Sequence, residues 1–302
     1  MKLLGFCILL FLTSAGLSAE GDFIRRGLEV SGDPYSVRLY DVNGAAILRE
    51  EALFNGRARI KDRKSYTEDG AFQLHTRYQR DDRGNLKTVS AYNQAGDSLW
   101  RHEYRYQNAT LQQEVVYNAT GELDYTDLYS YDSDGNLLER ARYGPGGLPR
   151  WRTQYEHDSV QNRVLWETYY SDGRLLRQGE EQYDQEGRLV REVHRDEIQE
   201  TYQEVRYAYD QQGRPISERI SDSEGSLRSV RRIRYDDFGN IAEETESRFD
   251  GRVTRRVLYH YRYDEYGNWI ERTITEREKP QFGPVLTTER VHRRTITYKG
   301  EG

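Results

Sequence analysis

The chain has 302 residues, of which 35% are apolar and 32% charged, and its 45 cationic and 51 anionic side chains leave a formal net charge of −6. The two signs are interspersed, so the sequence lacks the basic stripe of a nucleic-acid-binding protein. Disordered chains share this low hydrophobicity but are poor in aromatic residues. The 25 tyrosines and 4 tryptophans therefore predict an ordered structure.

The first 19 residues have the pattern of a secretory signal peptide. Met1–Ala19 contains one lysine, an apolar run from Leu3 to Leu12, and then small residues, and we place cleavage after Ala19, with Ala15 as the alternative. The apolar run is shorter than the roughly 20 residues of a membrane-spanning helix. Cys7, the only cysteine, comes too early for a lipoprotein site and would leave with this segment, so no disulfide is expected. The sequence predicts an exported protein of the periplasm, the cell surface or the medium.

The sequence divides into four segments, the last three of which are set by the spacing of turn residues. Residues 1–19 are the signal peptide, and 20–70 are an N-terminal cap with degenerate repeats, in which Gly44, Gly56 and Gly70 mark turns. Residues 71–276 carry regular hairpin repeats. Residues 277–302 form a C-terminal cap hairpin, and Pro280 lies in the loop at its start. Irregular sequence at either end is expected to shield the outer strands from further pairing.

A 26-residue repeat organises most of the chain. One series of turn glycines has spacings of 52, 26 and 26, with Gln161-Asn162 in the vacant slot: Gly135, Gly187, Gly213 and Gly239. A second series has spacings of 26, 26, 52 and 26, with its vacant slot near Gln199: Gly121, Gly147, Gly173, Gly225 and Gly251. Each unit thus contains two short strands and two turns.

The repeat predicts an all-β fold, a long antiparallel meander of about 20 short strands. Asp-Gly and Gly-Asn favour tight hairpin turns because glycine and asparagine tolerate positive φ. The gaps are too short for the connections of a parallel sheet. Because open sheets rarely exceed about 10 strands without curling, a twisted or coiled sheet is expected. A flat single-layer ribbon held by cross-strand pairs is the alternative.

Alternation along the strands predicts two unlike faces. One is aromatic and carries Tyr125, Tyr129 and Tyr131 after Gly121, a turn glycine of the second series. Counted the same way, the next strand should add Leu137, Glu139, Ala141 and Tyr143 to the aromatic face. Arg140, Arg142, Arg150, Arg152 and Arg262 should lie on the charged face.

The motif Tyr-x-Tyr-Asp-x-x-Gly-Asn/Arg-Leu resembles the YD-repeat (RHS-like) family of exported bacterial proteins. The resemblance covers about residues 78–270, with these copies: Tyr129–Leu137, Tyr183–Leu189, Tyr207–Ile216, Tyr235–Ile241 and Tyr261–Trp269. Large members of that family form sheets that spiral into a shell around toxin cargo. This chain is shorter and has no recognisable toxin domain or autoproteolysis segment. The resemblance implies a strand pattern, and it adds an accessory role in a toxin or secretion system to the possible functions.

No catalytic, cofactor-binding or metal-binding residues are predicted. Asp132–Asn136 resembles a calcium loop, but the equivalent turns lose its carboxylates, which favours turn geometry. The histidines have no metal-ligand spacing. Paired carboxylates such as Glu180-Glu181 and Glu243-Glu244 occur throughout, so they do not identify a glycosidase.

The tryptophans vary between repeats and are the candidate ligand-facing aromatic residues: Trp100, Trp151, Trp166 and Trp269. The signal peptide, the repeat and the lack of a concentrated reactive site predict a structural or binding module, with an envelope glycan or a protein as the candidate partner. The alternative is an enzyme acting on envelope polysaccharide. An outer-membrane barrel needs a continuous apolar band, and both faces here carry charges, so an integral membrane protein is not expected.

Overall fold

The computed structural model describes residues 30–55, 59–280 and 283–299, so Met1–Ala19 and Gly56 lie outside the described residues. It contains one short 3-10 helix, Pro145–Gly147. The described residues form twenty strands: β1 Pro34–Asn43, β2 Ala45–Phe54, β3 Ile60–Tyr66, β4 Phe72–Arg80, β5 Leu86–Tyr92, β6 Ser98–Gln107, β7 Thr110–Tyr117, β8 Leu123–Tyr131, β9 Leu137–Tyr143, β10 Pro149–Asp158, β11 Arg163–Tyr170, β12 Leu175–Tyr183, β13 Leu189–Asp196, β14 Thr201–Tyr209, β15 Pro215–Ser221, β16 Leu227–Tyr235, β17 Ile241–Arg248, β18 Val253–Tyr263, β19 Trp269–Glu278 and β20 Leu286–Tyr298.

The strands form one antiparallel meander that closes on itself. Each strand pairs with the next along the chain, and β1 pairs antiparallel with β20, with Val37 opposite Ile296. The predicted all-β meander is confirmed, and the flat-ribbon alternative is wrong because the two ends of the sheet meet. Pairing of β1 with β20 covers both edges of the sheet.

The turns explain why the Asp and Gly of the repeat are needed. In the turn that begins at Asp132, the Asp132 amide donates to the Asn136 carbonyl at 2.9 Å and the Gly135 amide donates to the Asp132 carbonyl at 3.2 Å. Gly135 has φ +87°, the left-handed conformation that closes a three-residue hairpin loop. The Asp132 carboxylate accepts the Asn136 amide at 2.8 Å, which fixes the loop from inside.

The two slots without glycine keep the same backbone conformation. Asn162 has φ +49° and Glu200 has φ +51°. Both residues adopt a region that non-glycine side chains rarely occupy. The predicted slots at Gln161-Asn162 and near Gln199 are therefore confirmed as turns of the same repeat.

The Tyr before the turn Asp binds back to the preceding hairpin. The Tyr131 hydroxyl donates to the Leu111 carbonyl at 2.8 Å, and Tyr235 does the same to Pro215 at 2.8 Å. Tyr209 repeats the contact with Leu189. In the hairpin of Asp264 it is Tyr261, two residues before Tyr263, that donates to the Ile241 carbonyl. Tyr and Asp of the motif thus have separate tasks: Asp holds its own turn, and Tyr joins two neighbouring strands beyond the ladder of backbone bonds.

The aromatic face is defined by Tyr125, Asp127 and Tyr129 of β8 and the residues paired with them. Here the alternation prediction was wrong for β9. Ser130 pairs with Glu139 and Tyr131 with Leu137, so a bulge leaves Leu138 without a direct partner and reverses the parity of the strand. Arg140 and Arg142 consequently lie on the aromatic face, opposite Tyr129 and Asp127, while Glu139 and Ala141 lie on the other face.

The barrel is a single layer in which extensive strand contacts join sheet neighbours only. Its buried apolar residues form small clusters, such as Val37, Ala52, Phe54 and Ile60 near the junction of β1 and β20. Cross-strand pairs each contribute roughly 0.2–1 kcal/mol, and their number replaces a central core.

His292 lies at the β20 strand that closes the barrel, with Arg272 of β19 on one side and Asp41 of β1 on the other. The Arg272 guanidinium lies 2.8 Å from His292 Nδ1, which makes that nitrogen the acceptor. Burial lowers the pKa of His292 to about 4, with Arg272, Arg290 and Arg49 acting in the same direction and Asp41 opposing them.

Stability should therefore fall as the pH drops from about 6.5, the ordinary histidine pKa, toward 4, because only the unfolded chain binds the proton there. After allowance for solvent screening, we expect a loss on the order of 1 kcal/mol. Urea unfolding at several pH values, with the native chain and His292→Asn compared, isolates this group from the carboxylates. Parallel pH curves for the two proteins would contradict the prediction.

Candidate functional site

Four aromatic side chains form a row along β6 on the aromatic face. Trp100, His102, Tyr104 and Tyr106 occupy every second position, with a bulge between Arg105 and Tyr106, and all four are half-buried. The centroids of Trp100 and His102 are 4.8 Å apart in an edge-to-face arrangement, and His102 lies 6.3 Å from Tyr104. We call these four residues the β6 row.

Glu114 of β7 holds the middle of the β6 row. It pairs with Tyr104 across the two strands, and His102 Nδ1 lies 2.8 Å from its Oε1. The Tyr129 hydroxyl donates to Glu114 Oε2 at 3.4 Å. Burial raises the pKa of Tyr104, and the neighbouring Glu114 carboxylate raises it further, so this phenol stays neutral.

Beside Glu114, Asp127 is the most enclosed charge on this face, with no exposed surface. Arg140 contacts its Oδ2 through Nε at 3.2 Å and Nη2 at 2.6 Å. Arg142 contacts Oδ1 through Nε at 2.7 Å and Oδ2 through Nη2 at 2.8 Å. The carboxylate is fully used in fixing the two guanidinium groups, so it is an anchor rather than a proton acceptor for a substrate.

The two guanidinium groups also orient aromatic rings. Arg142 lies 3.6 Å from the centroid of Tyr125 and 5.1 Å from that of Trp151, and Arg140 lies 5.4 Å from Trp151. Trp151 is half-buried, so part of its ring remains accessible. These contacts are of the cation–π type, which favours tryptophan.

All four tryptophans of the sequence lie on the aromatic face, at different depths. Trp100 and Trp151 are half-buried, as described above. Trp166 is 5% exposed and packs over Gly179, and Trp269 is 6% exposed, with Arg294 at 3.8 Å from its ring. Their separation on β6, β10, β11 and β19 shows that they do not form one common site.

A pair of carboxylates lies further along the same face. Glu181 of β12 and Glu192 of β13 are direct cross-strand partners. Burial raises the pKa of Glu181, and the nearby Glu192 adds to the increase. Burial also tends to raise the pKa of Glu192, but hydrogen bonds from His194 and Tyr207 outweigh this effect, so the pKa of Glu192 is lowered. The sequence pattern could not predict that Glu181 and Glu192 are partners, because it does not give the register of the strands.

At the turn end of the β6 row the surface opens into a cleft of about 360 Å³. We call it the rim cleft. Tyr104 and Tyr106 form one wall, and the remaining lining comes from the β4–β5 hairpin: Arg80, Asp81, Asp82, Leu86 and Lys87. Its volume is within the range of small-molecule sites.

The Asp132 carboxylate, considered as a calcium ligand from sequence, is occupied by its own turn. The Asn136 side chain donates to it at 2.8 Å, and this bond lowers the pKa of Asp132. Across residues 30–55, 59–280 and 283–299, no group of three or more His, Cys, Asp or Glu side chains could hold a metal ion. Within those same ranges, no helix has both the length and the apolar character to span a membrane.

Comparison with known proteins does not assign a family. No protein-family model and no curated protein matches the chain. Among solved structures, it is similar to a porin-like protein from Bacteroides uniformis (9% identity, 87% of this chain and 96% of that chain, TM-score 0.36). It is also similar to a porin-like protein from Bacteroides vulgatus (14% identity, 89% and 100%, TM-score 0.29). A Bacteroides fragilis protein with unknown function matches at 13% identity over 50% of this chain and 92% of that chain, with a TM-score of 0.21. With TM-scores below 0.5, these similarities support no functional argument.

Proposed function

We propose that this protein is an exported saccharide-binding module whose contact surface is the β6 row, with Trp151 on the neighbouring part of the aromatic face. The observation that carries the proposal is the line of half-buried rings at Trp100, Tyr104 and Tyr106, which ends in the rim cleft. Export is inferred from the signal-peptide pattern of Met1–Ala19.

The chemistry of this surface suits a polyhydroxylated ligand. Flat aromatic rings cover the apolar face of a sugar ring, and the surrounding polar groups supply donors and acceptors for its hydroxyls. Tyr and Trp have few rotatable bonds, and the contacts of Glu114 and Asp127 fix their neighbours further, so little conformational entropy is lost on binding.

The proposal places the barrel in water rather than in lipid. On the part of the barrel from β14 through β20 to β1, the face opposite the aromatic one carries arginines that are 52–72% exposed: Arg38, Arg206, Arg234, Arg262 and Arg293. The aromatic face carries Glu114, Asp127, Arg140 and Arg142. Among the described residues, the charges on both faces interrupt the apolar band of about 25 Å that a lipid-embedded barrel presents.

A glycan array followed by calorimetry on the mature chain tests the proposal. We expect Trp100→Ala and Tyr106→Ala each to weaken binding of the best saccharide about tenfold or more, as for central aromatic contacts. Tyr117→Ala is the matched control, because Tyr117 lies on β7 but pairs with Arg101 on the opposite face.

Absence of saccharide binding, or equal losses in Tyr117→Ala and the β6 variants, would contradict the proposal. Product analysis in the same samples separates binding from hydrolysis. Turnover that depends on Glu181 and Glu192 would favour the enzyme alternative, since their pKa values are moved apart as in an acid–base pair.

A further inference from the structure

We infer that the rim cleft binds an acidic sugar unit, with the carboxylate of a uronic acid held by Lys87 and Arg80 and its ring against Tyr104 and Tyr106. The inference rests on the proposed function and names the class of saccharide. In this inference the β6 row contacts the neutral part of the saccharide, and the rim cleft at its end binds the charged sugar unit.

At the position four places after the turn Asp, this hairpin carries a short asparagine, as three other hairpins do at Asn136, Asn240 and Asn268. In two other hairpins, the residue four places after the turn Asp is an arginine that binds this Asp and lies over the Tyr of the next repeat. Arg188 contacts Asp184 at 2.7 Å and lies 5.1 Å from the Tyr209 ring, and Arg214 lies 4.3 Å from that of Tyr235. The corresponding residue here is Asn85, whose side chain reaches only Asp81, at 3.0 Å.

The cleft is lined by two cations, Arg80 and Lys87, and by two carboxylates, Asp81 and Asp82. Asp81 accepts the backbone amide of Asn85 at 2.8 Å and its side-chain amide at 3.0 Å, so this carboxylate is engaged in the turn. Arg80 is held in place by a bond from Nη1 to the Gly84 carbonyl at 3.2 Å. Lys87 is exposed, which leaves its ammonium able to meet a ligand carboxylate, and exposed Asp82 can accept a sugar hydroxyl.

The aromatic wall makes a sugar acid a better fit than a simple anion. Tyr104 and Tyr106 are half-buried and present ring surface to the cleft, on the same side as Lys87. A free phosphate or sulfate would leave these rings uncovered. A uronic acid joins a carboxylate to a ring with an apolar face, so it uses both parts of the lining.

Calorimetry on the mature chain with four probes tests the inference: oligogalacturonate, the neutral galacto-oligosaccharide of equal length, inorganic phosphate and sulfate. We expect oligogalacturonate to bind at least tenfold more tightly than the neutral sugar. Lys87→Ala should remove most of this difference by weakening oligogalacturonate binding far more than neutral-sugar binding. Asn85→Arg should abolish oligogalacturonate binding, because it places a guanidinium where Arg188 and Arg214 lie in their own repeats.

Lys64→Ala is the control, since Lys64 is also partly exposed but lies on β3 beside Glu51. Urea unfolding of each variant checks that it is folded. Equal affinity for acidic and neutral sugars with no effect of Lys87→Ala overturns the inference while the proposed function stands. Phosphate or sulfate binding as tightly as oligogalacturonate also overturns it, in favour of a simple anion site. Failure of every saccharide to bind overturns the proposed function as well.

Discussion

Asp127→Asn should lower the free energy of unfolding by about 3–5 kcal/mol, the range measured when one partner of a buried ion pair is removed. Asp127 has no exposed surface and compensates two guanidinium groups at once, Arg140 and Arg142, whose side chains are each 22% exposed. An amide removes the negative charge and turns one acceptor into a donor. Two cations would then face each other without a counter-charge.

Asp124→Asn provides the matched control on the same strand. Its side chain is 50% exposed and lies 3.7 Å from Arg150, so we expect a change below about 1 kcal/mol. Urea unfolding of both variants at pH 7, followed by circular dichroism, gives the comparison. Equal stability of the two variants would show that Arg140 and Arg142 find other partners and that Asp127 does not anchor this part of the face.

The sequence was sufficient to predict the strands and turns because each turn needs a particular residue. A left-handed residue is required at the end of each loop, and Gly135 or its equivalent supplies it at a regular spacing. The Tyr of the Tyr-Asp motif binds one strand back, as Tyr131 does to Leu111, so the requirement is again local. The positions of the strands and turns in the repeat region could therefore be predicted from the 26-residue period.

The same reasoning failed for the charged part of the candidate site because a bulge is invisible in a simple alternation. One extra residue at Leu138 moves Arg140 and Arg142 to the aromatic face. The site around Asp127 exists only through that shift. A signal was present, since a buried face with an aspartate and no cation nearby is electrostatically costly. This cost could have suggested that the two arginines belong beside Asp127.

Closure of the barrel was also beyond the sequence argument. A local repeat predicts that a sheet curls, but closure depends on the twist and stagger summed over all strands. The contacts that complete it are between distant residues. Ser31 and Asn268 exchange two hydrogen bonds, at 2.6 and 3.1 Å, across 237 positions, and Lys299 pairs with Asp33 at 2.9 Å. No periodic pattern identifies such pairs.

Gly179→Ala should be strongly destabilising, by about 3 kcal/mol, the upper part of the range for overpacking. Gly179 is in the middle of β12, where no turn requires a glycine, and a strand glycine ordinarily weakens pairing. From strand preference alone, alanine should thus be an improvement. A Cβ at this position, however, would overlap Cζ2 of Trp166 and the Val193 carbonyl oxygen.

The sign of the change therefore separates the two explanations, with Gln178→Ala as the control at the adjacent position of the same strand. Adding Trp166→Leu to Gly179→Ala should recover part of the loss, since the indole contact is removed while the Val193 carbonyl contact remains. Urea midpoints of the single and double variants measure this coupling. A Gly179→Ala protein as stable as the native chain would mean that the Trp166 ring does not rest on this glycine. In that case the packing of Trp166 against His194, at 5.5 Å between ring centroids, would also have to be different.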